Sequence, residues 1–132
     1  MIQRGIKMTI KDIMNAEVHM VMPQDTLEKT LSIMESKHLN GLPVVNEEKQ
    51  LVGIIVKADI YRFLSVTGHY ETCPVEWAMS KDVVTVMPEE TVEEAARRLR
   101  KHNIIGMPVV ENGRVIGMIS LENIVDFFIS NH

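Results

Sequence analysis

The chain has 132 residues, with 14 Lys and Arg against 18 Asp and Glu for a formal charge of −4, and 45% of its residues are hydrophobic. That length suits one ordinary domain with a shared core. The single cysteine, Cys73, excludes an internal disulfide, and no apolar run of transmembrane length or signal-peptide pattern occurs, so the chain reads as cytoplasmic. The net negative charge gives no general footprint for nucleic acid, although Arg4, Lys7 and Lys11 make the first segment locally basic.

Residues 1–8 have weak periodicity and read as an N-terminal arm or an added edge segment. Thr9–Met14 is expected as a short helical turn presenting Ile10, Ile13 and Met14 to a core. Val18–Val21 is a β-type run stopped by Met22 and Pro23. Asp25 with Glu28 three residues on has capping-box spacing, and the helix that follows carries the apolar stripe Leu27, Leu31 and Met34. Its end is expected near Gly41, a residue free to take a left-handed cap. Pro43-Val-Val opens a hairpin that turns through Glu47–Gln50 and returns along the apolar Leu51–Val56, as for a strand covered on both faces. A helix with Ile60, Phe63 and Leu64 follows, and residues 67–73 form a connector.

The same order then returns. Pro74–Met79 answers the first turn and Val83–Val86 the first β-type run. Thr91 with Glu94 has capping-box spacing before a helix striped with Val92, Ala95, Ala96 and Leu99, ending near Gly106. Glu28, Lys29, Glu35, Arg97, Arg98, Arg100 and Lys101 fall mostly on the solvated helix faces. Pro108-Val-Val opens a second hairpin, whose Asn112-Gly113 is a strong two-residue turn signal, and Val115–Ile119 leads to a helix with Ile124, Val125, Phe127 and Phe128. Pro23/Pro88, Gly41/Gly106 and Pro43/Pro108 match at a spacing of 65, whereas Gly53/Gly117, Ile60/Ile124 and Phe63/Phe127 match at 64, because the second hairpin turn is one residue shorter. A unit copied within one chain packs against its own copy. The expected repeats are residues 9–66 and 74–132 of one α+β module.

With Gly-x-Pro-Val-Val in both halves, and a Gly-containing apolar strand feeding a polar residue at a helix start, the chain resembles a tandem pair of CBS (cystathionine-β-synthase-type) domains, a Bateman module, from about Thr9 to Ile129. The resemblance implies two βαββα-type repeats packed about a pseudo-twofold axis, with two clefts that hold adenosine-containing ligands. It also implies dimerisation into a flat disc, and regulation of attached or partner proteins rather than catalysis.

The family's ligand motif at the last strand-to-helix junction is Ser or Thr, two residues, then Asp. A carboxylate there accepts hydrogen bonds from vicinal ribose hydroxyls, and a hydroxyl with free N–H groups meets phosphate oxygens. This chain splits the motif. Val56-Lys57-Ala58-Asp59 keeps the Asp without the hydroxyl, and Ser120-Leu121-Glu122-Asn123 keeps the hydroxyl without the Asp. Asp59 therefore marks the stronger ribose site and Asn123 the weaker one; the competing reading is that both cap their helices. Met20-Val21, Thr85-Val86, Gly41–Val44 and Gly106–Val109 match the family's purine-holding segments. Among these, Thr85, Leu42 and Met107 divide evenly between ligand and core, Val44 and Val109 favour core, and Met20, Pro43 and Pro108 complete the candidate set. Lys57 and Lys81 are candidates to approach phosphate, but no dense phosphate clamp accompanies them. AMP, ADP or S-adenosylmethionine thus fits more easily than ATP.

His19, His38, His69, His102 and His132 have no metal-ligand spacing with one another or with Cys73. The ten methionines read as gap fillers rather than a soft-metal site. Cys73 beside His69 and Glu71 is the one arrangement resembling a nucleophile, and the sequence supplies it no positioned base. The leading reading is a non-enzymatic module that senses an adenosine-type ligand and signals to a partner. A ligand-free dimerisation module and a DNA-associated regulator using the Arg4–Lys11 arm are the alternatives. Surplus apolar residues at Phe63, Leu64, Phe127, Phe128 and Ile129 point to a homodimer.

Overall fold

The computed structural model describes residues 8–130, so Arg4 and Lys7 of the basic arm, and His132, lie outside the described residues. Each half of the chain supplies one two-stranded antiparallel sheet. β1 (Gly41–Val45) pairs with β2 (Leu51–Val56), and β3 (Gly106–Glu111) with β4 (Arg114–Ser120). The second hairpin closes through Asn112 and Gly113 at φ 54 and 81, the paired left-handed conformations of a type I′ turn. The longer first turn is held by Asn46, whose side-chain oxygen accepts the Glu48 and Gln50 N–H groups at 3.0 and 2.9 Å. Both hairpins shift register at the same place, between Val44 and Val45 and between Val109 and Val110. The one-residue difference in length is thus absorbed in the turns.

Helix α2 (Leu27–Lys37) precedes the first hairpin and α3 (Lys57–Leu64) follows it; α4 (Val92–His102) and α5 (Leu121–Ser130) do the same for the second. The capping box at Thr91 and Glu94 forms as its spacing predicts, with the Glu94 N–H on the Thr91 hydroxyl at 3.1 Å and the Thr91 N–H on the Glu94 carboxylate at 2.9 Å. In the first repeat the cap is one residue later than expected. Thr26 accepts the Lys29 N–H at 3.1 Å, while Asp25 turns back to accept the Met22 N–H at 2.8 Å. The left-handed residues that end α2 and α4 are His38 and Asn103, at φ 57 and 53, not Gly41 and Gly106, which already belong to the strands. The β-type runs at Val18–Val21 and Val83–Val86 likewise form single parallel bridges, Val21 to Val44 and Val86 to Val109, because Pro23 and Pro88 stop them at once.

Two compact units result. One comprises His19–Val83; the other joins the described residues up to Val18 to those from Val84 to Ser130. The leading turns are therefore exchanged with respect to the sequence repeats. Helix α1 (Ile10–Ile13) serves the unit of the second repeat: Ile10 is fully buried among Val92, Leu99, Met107, Ile119 and Ile124, and its N–H donates to the Glu90 carbonyl at 2.9 Å. Burying an isoleucine side chain contributes about 1.5–3 kcal/mol, which fixes the turn in place. The short 3₁₀ turn Val75–Trp77 serves the His19–Val83 unit in the same way, with Val75 buried among Val21, Leu27, Met34, Leu42, Ile55 and Ile60.

The matched glycines of β2 and β4 let these turns approach. A Cβ on Gly53 would lie 2.8 Å from the Met79 sulfur and 2.9 Å from the Ser80 carbonyl oxygen. On Gly117 it would collide with Met14. Backbone bridges Ile54 to Ser80 and Asn15 to Met118 pass over these bare positions.

Candidate functional site

In each unit three segments distant in sequence are fastened together by equivalent hydrogen bonds. In the His19–Val83 unit, Val21 donates its N–H to the Pro43 carbonyl at 3.1 Å and accepts from Val45 at 2.9 Å. Gly41 pairs with Val56 in the ladder, and the Lys57 N–H donates to the Asn40 carbonyl at 2.8 Å. Met20, Leu42, Pro43, Val56, Lys57 and Asp59 are thereby gathered around one end of the β1–β2 hairpin. In the other unit Val86 donates to Pro108 at 3.1 Å and accepts from Val110 at 2.9 Å, Gly106 pairs with Ser120, and Leu121 donates to Ile105 at 2.9 Å. Thr85, Met107, Pro108, Ser120 and Asn123 are gathered likewise.

Within this frame the side chains differ in what they offer. Leu42 and Met107 are 1% and 0% exposed and belong to the cores, as do Val44 and Val109, leaving only their backbones for recognition. Pro43 and Pro108 are also buried, whereas Met20, Val56, Lys57, Asp59, Thr85, Ser120 and Asn123 are part-exposed. Thr85 is held through its carbonyl, which accepts from Arg98 at 2.9 Å. The Arg98 guanidinium also grips both carboxylate oxygens of Glu90, at 2.6 and 3.0 Å, and Glu90 in turn accepts the Met87 N–H at 2.8 Å. The Arg98 hydrogen bond is the main reason the Glu90 carboxyl is held below its ordinary value. Arg98 is thus no freely solvated helix residue; its partner eight positions away breaks the helical spacing from which the sequence is read.

Asp59 and Asn123 are not N-caps. The N-cap of α3 is Val56, which has no capping side chain, so Asp59 lies in the third helical position. Its Oδ1 accepts from Nη1 of Arg62 at 2.5 Å, one turn further along the helix. Asn123 lies in the corresponding position but turns the other way. Its Oδ1 accepts from the Ser120 N–H and hydroxyl at 2.9 and 3.0 Å, and its own N–H returns to the Ser120 oxygen at 3.2 Å, completing a reciprocal cap. The hydroxyl missing at Val56 explains the difference. Arg62, which the candidate set read from the sequence does not include, shows there only as an i, i+3 partner of Asp59.

The nucleophile arrangement does not assemble. Cys73 is buried in a core and its sulfur accepts from the Tyr70 N–H at 3.5 Å, while the His69 ring stacks on Phe63 at 3.8 Å with Nδ1 2.8 Å from the Phe63 carbonyl. A carbonyl only accepts, so that nitrogen carries the proton, and among the described residues no hydrogen bond joins the His69 ring to Cys73. Among the described residues no group of three or more His, Cys, Asp or Glu is placed to hold a metal ion, and no helix is long and apolar enough to cross a membrane.

The sequence pattern of the CBS domain family matches residues 10–66 and again 75–130. The chain belongs to the CBS domain family, as a tandem pair. This CBS pair is similar in structure to the CBS domain pair of protein MJ0100 in complex with 5′-methylthioadenosine and S-adenosyl-L-methionine, at 29% identity and a TM-score of 0.83, covering 96% of this chain and 100% of that one. It is also similar to CBSX2 in complex with AMP, at 26% identity and a TM-score of 0.84, covering 94% and 98%. In sequence it is 34% identical over 118 residues to a homoserine O-acetyltransferase of Methanococcus vannielii; the match takes in 89% of this chain but only 24% of that protein. The CBS pair therefore spans a minor part of that relative, whose named activity belongs to the whole protein.

Proposed function

We propose that the chain is a regulatory, non-catalytic module that takes an adenosine-containing ligand at its strand-to-helix junctions and passes the occupancy to a partner protein. The observation that carries this reading is the equivalent gathering, in both units, of the β-type run, the Gly-x-Pro turn and the junction helix start around one hairpin end. Structural neighbours in complex with AMP, or with S-adenosylmethionine and methylthioadenosine, support the ligand class. In this reading Asp59 accepts the vicinal ribose hydroxyls, since a carboxylate oxygen accepts more than one hydrogen bond and Oδ2 is not engaged by any described residue. Lys57 approaches the phosphate, and the backbones of Leu42, Pro43, Met107 and Pro108 with the part-exposed Met20 and Thr85 border the base. Ser120 and Asn123 form the second, weaker recognition point, because their mutual bonds must be shared or broken.

Calorimetric titration with AMP, ADP, ATP and S-adenosylmethionine tests the reading. Saturable heat with at least one is expected. Silence with all four, together with an unchanged melting temperature, would favour a structural dimerisation module instead.

A further inference from the structure

The two junctions share a backbone but not a charge. At the spacing of 64, Lys57 answers Leu121, Ala58 answers Glu122, Asp59 answers Asn123 and Arg62 answers Asp126. The start of α3 therefore carries two cations around one carboxylate, while the start of α5 carries two carboxylates and no cation, and the cation on the neighbouring Thr85 carbonyl, Arg98, is neutralised by Glu90. Nothing in the fold requires this. Arg62, Glu122 and Asp126 are exposed, and Ile60 and Ile124 anchor α3 and α5 in equivalent ways. The recognition groups are opposed as well. Asp59 presents a carboxylate whose Oδ1 is bound to the Arg62 guanidinium, whereas Asn123 has its oxygen occupied by Ser120 and leaves its NH2 group to donate.

We infer that the junctions are tuned to ligands of different charge: Val56–Asp59 to a phosphate-bearing adenosine ligand, and Ser120–Asn123 to an uncharged or cationic one. Arg62 and Asp126 are the residues that set the difference. This rests on the reading that each junction takes an adenosine-type ligand. A ribose held by Asp59 brings its 5′ substituent within the Debye length of about 8 Å from a guanidinium that touches the same carboxylate. A 5′-phosphate there meets Arg62 and Lys57. At the second junction the same phosphate meets Glu122 and Asp126, which repel it and favour a thioether or sulfonium in its place.

The test compares AMP with 5′-methylthioadenosine, which share adenosine and differ in the charge at the 5′ position. Calorimetry is run on the full chain, on Arg62→Glu and on Asp126→Arg. Arg62→Glu is expected to weaken AMP by about tenfold or more while methylthioadenosine changes by less than about threefold, because only the former loses a phosphate partner. Asp126→Arg is expected to add a second AMP site per chain. Both positions are exposed, and a melting curve for each variant verifies folding. Equal weakening of the two ligands by Arg62→Glu would show that Arg62 acts through Asp59 alone, and would overturn the inference. An unchanged AMP stoichiometry in Asp126→Arg would also overturn it. If neither ligand binds the unaltered chain, the inference is overturned, and if ADP, ATP and S-adenosylmethionine are silent as well the ligand reading itself falls, an outcome distinct from binding without charge discrimination.

Discussion

Asp59 and Asn123 occupy the same helical position, and the neighbour three residues away decides what each can do. Ser120 draws Asn123 back into a cap, while Val56 offers no hydroxyl and leaves Asp59 to Arg62. A charge-assisted hydrogen bond is worth about 1.5–3 kcal/mol, so Asp59→Ala should weaken the tighter ligand by about ten- to a hundredfold at about 1.4 kcal/mol per tenfold. Asn123→Ala should change that event little. Calorimetry with the melting temperature recorded beside it checks both, and an unchanged affinity in Asp59→Ala would remove it from the site. Glu90 gives a prediction in pH. Arg98 holds its folded-state carboxyl below the ordinary value of 4.5, so its contribution is present above that value and is lost as the pH falls through the lower folded one. Glu90→Gln should therefore flatten the acid limb of a stability profile below about pH 4.5, and should loosen the Thr85–Met87 run that the pair fastens.

At the scale of elements, most of what local chemistry dictates was legible. The Asn112-Gly113 turn, the Thr91–Glu94 capping box and the apolar second arms of the hairpins all follow from short-range pattern. Where two adjacent residues both fit a cap, pattern alone does not choose. Asp25 is diverted to the turn that Pro23 starts, so Thr26 takes the helix. His38 and Asn103 end α2 and α4 because they reach the left-handed conformation before the glycines do. The destination of the leading turns was not legible at all. Their periodicity shows a buried face but not which of two similar hairpins receives it. Gly53 and Gly117 carry the trace of that packing. Gly53→Ala should destabilise by about 1–3 kcal/mol through overpacking against the Met79 sulfur and the Ser80 carbonyl, which a urea titration of the variant measures. A midpoint equal to that of the unaltered chain would show that the turn retreats without cost.

For the whole molecule, the apolar surplus expected on the terminal helices is only partly surplus. Phe63, Leu64 and Phe127 pack against the cores, while Tyr61 on α3 and Val125, Phe128 and Ile129 on α5 remain more than half exposed. The last three follow i, i+3, i+4 spacing and make one apolar strip, the kind of surface that self-association covers. A homodimer is expected in light scattering, and Phe128→Glu should shift it toward monomer; a chain already monomeric at high concentration would contradict this. In the proposed reading the junctions take an adenosine-type ligand, with the ribose on Asp59. A crystal structure grown from a mixture of AMP, ADP, ATP and S-adenosylmethionine tests it most directly. Adenosine is expected with its vicinal hydroxyls on the Asp59 carboxylate. An ordered nucleotide bound elsewhere, with Asp59 still paired only to Arg62, would contradict it.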